Sequence, residues 1–196
     1  MTTMTESEKN ILHAYIGSSL NYLEFGSGES TIYASGLPTI HTVTSVESSR
    51  QFINDFLMQN SDVQNALKNK KLNFHIVDIG ETVAWGYPKD EAKKHLWPNY
   101  SLSVFNGDLQ YDLVLVDGRF RVASTLCSIL STPDACKILI HDFWNRPEYK
   151  IVLEFLQVID KVDTMGVFAK IDSIDCHKVQ SIIRKYQYLP GDLEGV

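Results

Sequence analysis

Gly26 and Gly28 follow the apolar run Tyr22-Leu23-Glu24-Phe25 and precede Glu29-Ser30-Thr31, an order that reads as a strand turning tightly into a helix. Glycines at such a turn let the backbone bend and approach a ligand, and the helix start offers unpaired N–H groups to polar or anionic atoms. Glu47 ends the next β-branched run about twenty residues on, where an acidic side chain accepts hydrogen bonds from ribose hydroxyls. Asp78, in Val77-Asp78-Ile79-Gly80, is placed either to meet an adenine amino group or to serve as an ordinary turn residue. The ligand chemistry these spacings favour is a nucleoside.

Two further segments carry reactive groups: Asp117-Gly118-Arg119-Phe120-Arg121 and His141-Asp142-Phe143-Trp144. Open α/β sheets bind ligands at the carboxyl ends of their parallel strands, so Glu24, Glu47, Asp78, Asp117, His141 and Asp142 are expected on one rim. His141 suits general-base work because an unperturbed imidazole titrates at about 6.5, and Asp117 suits orienting a reacting group or stabilising charge. Arg119 and Arg121 either fork onto a substrate carboxylate or phosphate or pair locally. Asp117 paired with Arg119, and Asp142 capping the segment that opens at Pro147, are the structural alternatives.

Elements must hold these groups in place. Short apolar runs at 22–25, 42–46, 73–77, 113–116 and 138–140 alternate with helical patterns, the signature of a mostly parallel sheet in an α/β domain. A helix over 51–67 would set Phe52, Ile53, Phe56 and Leu57 on one face, and Val122, Leu126, Ile129 and Leu130 would do the same before Pro133. The runs 165–171 and 179–186 read as two adjacent strands, an antiparallel hairpin at the C-terminal sheet edge. The connection over about 80–105 holds Trp85, Tyr87, Pro88, Trp97, Pro98 and Tyr100. Such a loop covers a ligand, cements itself to the sheet or forms a dimer face.

The 196 residues suit one domain, and 44% apolar with 21% charged residues is ordinary globular usage. A net charge of -6 disfavours sequence-independent binding to nucleic acid, which needs clustered cations. Three cysteines without metal-type pairing, no signal-peptide pattern and no run of ~20 apolar residues give a cytoplasmic expectation, with no membrane partner.

The order Glu24-x-Gly26-x-Gly28, Glu47, Asp78, Asp117 resembles the class I S-adenosylmethionine-dependent methyltransferases. More specifically, Glu24 to Thr31, Ser45-Val46-Glu47, Asp78-Ile79-Gly80, Trp85-Gly86-x-Pro88 and Val116 to Val122 resemble a small group of bacterial methyltransferase-like proteins. The resemblance implies a Rossmann-like three-layer sandwich with a seven-stranded, mostly parallel sheet and a C-terminal antiparallel hairpin. It implies S-adenosylmethionine as cofactor, with Glu24, Gly26, Ser27, Gly28, Glu47 and Asp78 as the cofactor-binding set. Asp117 and His141 are then the catalytic candidates for methyl transfer to a small-molecule acceptor, with homo-oligomerisation left open. Two departures stand out: Ser30 replaces a third glycine, and Phe143 takes the place of the Asn that serves magnesium in the metal-dependent branch, so no metal is expected. A nicotinamide-dependent oxidoreductase, which would need glycine where Thr31 stands, and a non-catalytic nucleoside-binding protein of the same fold are the alternatives.

Overall fold

The computed structural model describes residues 3–191. Its strands are β1 (Asn21–Phe25), β2 (Thr42–Glu47), β3 (Leu72–Ile76), β4 (Leu113–Val116), β5 (Lys137–Ile140), β6 (Leu156–Val162) and β7 (Met165–Lys170). Its α-helices are α1 (Glu6–Gly17), α2 (Glu29–Gly36), α3 (Arg50–Asp55), α4 (Ser61–Lys68), α5 (Pro98–Leu102), α6 (Arg121–Ser131) and α7 (Cys176–Tyr186). All seven strands form one sheet in the order β3-β2-β1-β4-β5-β7-β6. Strands β1 to β5 run parallel, and β7 is antiparallel to both β5 and β6.

The parallel strands are apolar throughout because both of their faces are covered. Side chains alternate across the pleat. Val114 and Val116 face one core with Phe25, Ile138, Phe168 and residues of α6 and α7, while Leu113 and Leu115 face a second core with Tyr22, Leu139 and residues of α1 to α4. The result is the expected three-layer α/β sandwich with a C-terminal antiparallel hairpin. No helix among the described residues is long and apolar enough to cross a membrane.

Two element expectations are corrected. The helix read over 51–67 is two helices, α3 and α4, parted by a 3-10 turn at Leu57–Gln59. Asn60 stops the first pattern and starts the second, its side-chain oxygen accepting from the N–H groups of Asp62 (2.8 Å) and Val63 (3.3 Å). Ile53 and Leu57 are buried as expected, but Phe52 and Phe56 are exposed and stack on each other at 5.3 Å.

The hairpin pairs β7 with β6, not with 179–186, which forms helix α7. Asp175 caps that helix by accepting from Lys178 N (3.0 Å), Val179 and Ile183 bury one helical turn apart, and Arg184 and Lys185 sit at the carbonyl end. In the 80–105 connection, Trp97 and Tyr100 are buried against Phe120, with ring centroids 5.7 and 5.5 Å away, and Trp97 Nε1 donates to the Ile79 carbonyl (2.9 Å). That half cements the loop to the sheet, whereas Trp85 remains exposed.

Candidate functional site

Strand order reverses between β1 and β4, and the turns leaving these neighbours touch. Gly26 has φ +92°, and a Cβ there would lie 2.7 Å from Gly118 Cα. A Cβ on Gly118 would lie 2.2 Å from the Tyr100 hydroxyl and 2.9 Å from Gly26 N. Both positions therefore need glycine for close backbone approach. Gly28 differs: its backbone is extended and a Cβ would meet open space, so packing does not demand a glycine there.

Beneath the turn, Glu24 is fully buried and accepts from the hydroxyls of Tyr22 (2.9 Å), Ser30 (2.6 Å), Ser45 (2.7 Å) and Thr31. Burial raises its pKa against the opposing pull of those donors. Glu24 does not line the cleft above it. It ties β1, β2 and the start of α2 together, and the hydroxyl of Ser30, the residue at the third-glycine position, belongs to that set.

Glu47 is the acid that reaches the cleft. Its Oε1 accepts from Ser48 N (2.6 Å) and Ser49 N (2.9 Å), and its Oε2 from Ser27 N (3.3 Å), so it holds the β1 turn against the start of α3. Asp78 is exposed, with its carboxylate accepting from Gly80 N (3.0 Å) and paired with Lys93, and the Lys93 bond holds its pKa down. It is not among the cleft-lining residues; the connection after β3 reaches the cleft with Thr82, Val83, Trp85 and Gly86 instead. The cleft measures about 1050 Å³ and also takes in Gly26, Ser27, Gly28, Tyr100, Asp117 and His141.

At the ends of β4 and β5, the structure brings Asp117 and His141 together: His141 Nδ1 lies 2.9 Å from Asp117 Oδ1. Arg121 is a local clamp on this pair and not a substrate fork. Its Nη2 donates to Asp117 Oδ1 (2.9 Å), its Nη1 donates to the His141 carbonyl, and Nη1 lies 3.4 Å from Asp142 Oδ2. Asp142 is buried at φ +58°, and Phe143 packs edge-on against Phe168 at 4.7 Å. Among the described residues, no three His, Cys, Asp or Glu side chains are grouped to hold a metal ion. Arg119 lines the cleft with its guanidinium 4.1 Å from the centroid of the Tyr87 ring.

Several residues around the site escape the sequence reading: Lys9, Leu12 and His13 in the cleft wall, and one buried acid. Glu8, in the first turn of α1, is 1% exposed, and its Oε2 lies 3.4 Å from His141 Nε2. The signal was Thr5-Glu6-Ser7-Glu8, a capping box in which Thr5 and Glu8 exchange hydrogen bonds at the helix start. Burial works against protonation of His141, but the hydrogen bond and charge of Asp117, with the charge of Asp142, outweigh it and raise the pKa. For Glu8, burial is outweighed by hydrogen bonds from Thr164 and Thr5 and by the charge of His141, and its pKa falls.

No protein-family model matches the chain, and no curated protein does. Among solved structures, a methyltransferase-like protein from Silicibacter pomeroyi is 31% identical with a TM-score of 0.82, over 97% of this chain and 98% of that one. An O-methyltransferase from Bacillus cereus in complex with SAH shares the fold at 14% identity and a TM-score of 0.56, over 86% and 83% of the two chains. An RNA methyltransferase from Salinibacter ruber in complex with S-adenosyl-L-homocysteine does so at 12% identity and a TM-score of 0.51, over 88% and 96%. With nearly the full length of both chains matched to the Silicibacter pomeroyi protein, this chain belongs to the methyltransferase-like family of the class I S-adenosylmethionine-dependent methyltransferase fold.

Proposed function

We propose that the protein binds S-adenosylmethionine in the cleft above β1 and β4 and transfers its methyl group to a small-molecule acceptor. The observation that carries this reading is the conjunction of Glu47 with the open face of Gly28 at the point where strand order reverses. Gly26, Ser27 and Gly28 would hold the amino-acid part of the cofactor through their backbone, and Glu47 would hold the ribose. The fit is supported by glycine at position 28, where packing asks for none and a side chain would enter free space. The SAH-bound Bacillus cereus and Salinibacter ruber proteins of the same fold support it too.

When bound, S-adenosylmethionine supplies an electrophilic methyl group on a sulfonium. The protein's share of an in-line displacement is then mostly alignment. Asp117 is the carboxylate at the acceptor end, with 27% of its side chain exposed while Arg121 and His141 fix its Oδ1. It would orient an acceptor N–H or O–H by accepting its hydrogen bond, and His141 would position Asp117. A small acceptor suits the enclosure of the cleft by Lys9, Leu12 and His13 of α1, and the net charge of -6 argues against a nucleic-acid substrate. The same reading places the protein in the cytoplasm, where Cys127, Cys136 and Cys176 would stay free thiols.

Calorimetric titration with S-adenosylmethionine, S-adenosylhomocysteine and NAD tests the reading. Micromolar binding of both sulfur nucleosides is expected, weakened at least about tenfold in Glu47→Ala and in Gly28→Val, the cost of roughly one charge-assisted hydrogen bond or one blocked contact. Absence of binding, or preference for NAD, overturns it. Binding without release of S-adenosylhomocysteine across an acceptor panel would leave a nucleoside-binding protein.

A further inference from the structure

Glu8 is an acid in the first turn of a helix, a position that normally faces water, yet its carboxylate is enclosed. Oε1 accepts from Thr164 N (2.9 Å) and Thr164 Oγ1 (2.6 Å), and Oε2 accepts from Thr5 N (2.8 Å). Three donors directed at one carboxylate favour its ionised, acceptor-only form. His141 Nε2 lies 3.4 Å from Oε2, within ion-pair distance but outside hydrogen-bond geometry, and it is buried with no hydrogen-bond partner among the described residues. Across the same ring, Nδ1 meets Asp117 Oδ1, which Arg121 also holds. A neutral imidazole has one N–H and one lone pair, so one tautomer sets its lone pair against Asp117 and the other leaves the Nε2 lone pair 3.4 Å from the Glu8 carboxylate; the imidazolium carries N–H on both sides.

We propose that His141 is a buried imidazolium that clasps Asp117 on the sheet to Glu8 on α1, and that Glu8 is the positioning residue through which α1 closes over the acceptor end of the cleft. The name of that end rests on the methyltransferase reading; the clasp does not. Among the described residues, the charged groups facing the ring are Glu8 from α1, Asp117 after β4 and Asp142 after β5, which favour the cation, and Arg121 from α6, which opposes it. The raised pKa of His141 agrees with this balance.

Closure by α1 has several anchors, the bonds from Thr164 to Glu8 among them. Besides the clasp, Thr5 Oγ1 donates to Asp163 in the turn between β6 and β7 (2.6 Å), and Lys9 pairs with Glu29 at the start of α2 (3.0 Å). Lys9, Leu12 and His13 then form one wall of the cleft. These α1 residues share the cleft with Asp117, so the protonation state of His141 bears on how firmly that wall is held. Deprotonation puts a lone pair near a carboxylate and removes one of the ties on the first turn of α1.

The test uses the full chain without cofactor, which keeps failure of the clasp separate from failure of cofactor binding. Imidazole ¹⁵N spectra are recorded against pH for wild type and Glu8→Gln, with His141 assigned by His141→Gln. Gln at this position preserves the capping box while removing the charge. His141 is expected to show protons on both ring nitrogens above the ordinary imidazole midpoint near 6.5, and the midpoint should move to lower pH in Glu8→Gln. Amide protection in α1 should fall about tenfold or more in Glu8→Gln, and in wild type as pH rises through the His141 midpoint, while protection in β4 and β5 holds. A neutral His141 at pH 6 in wild type overturns the proposal whether or not the variant folds. So does a midpoint that is the same in both proteins.

Discussion

Glu24 and Glu47 are both glutamates flanking one turn, and their surroundings give them opposite tasks. Glu24 is fully buried with four hydroxyl donors around it, whereas Glu47 satisfies backbone N–H groups at the cleft wall. Replacing Glu24 by Leu would leave four hydroxyls without their common acceptor, a loss on the order of 3 kcal/mol or more when buried polar groups go unpaired. Urea unfolding should show it as a lowered midpoint. Ser30→Gly, which removes one donor from an already well-supplied carboxylate, should cost only about 1 kcal/mol. Equal effects of the two substitutions would mean that Glu24 is not the hub. At this scale, spacing reveals residue type but not direction: Glu47 and Asp117 line the cleft, while Glu24 points beneath it and Asp78 turns outward to Lys93. Neither outcome is readable from position at a strand end, because a strand end permits both faces and a turn permits solvent.

The two turns after β1 and β4 work as one element, since each glycine is the space the other backbone occupies. Gly26→Ala is expected to destabilise by about 2 kcal/mol or more, because it adds steric overlap with Gly118 to a positive-φ strain. Gly118→Ala should act similarly through the Tyr100 hydroxyl, and Gly28→Ala should leave the thermal midpoint near that of wild type. Matching midpoints for Gly26→Ala and Gly28→Ala would contradict the interlock. The parallel strands were legible because burial on both faces makes them continuous apolar runs between turns. Strand β6 was not: five of its seven residues are exposed on an edge strand, so no apolar run announces it. Helix α7 was misread because Val179, Ile182 and Ile183 resemble a strand locally, although the Asp175 cap and terminal Arg184-Lys185 mark a helix. The break at Asn60 was readable in principle as a cap residue inside an otherwise periodic stretch.

Over the whole molecule, these buried groups set how stability follows pH. The folded-state pKa of Glu8 lies below its ordinary 4.5, so its contribution is present above that value and lost as pH falls through the lowered one. His141 has a pKa raised above 6.5, so its contribution is complete below 6.5 and disappears as pH rises through the raised value. Glu24, raised above 4.5, likewise favours the acidic side, because ionising it inside the protein costs more than in the unfolded chain. The net charge of -6 adds self-repulsion that grows as pH climbs. Both partners of the Glu8–His141 contact are therefore charged between about pH 4.5 and 6.5, and the other terms do not favour the alkaline side. Thermal midpoints measured from pH 4 to 9 should peak within that weakly acidic window and decline above it. In Glu8→Gln the alkaline decline should begin at lower pH, because a less supported imidazolium gives up its proton sooner. A wild-type maximum at pH 8, or an unchanged alkaline limb in the variant, would show that His141 does not link α1 to the sheet through its charge.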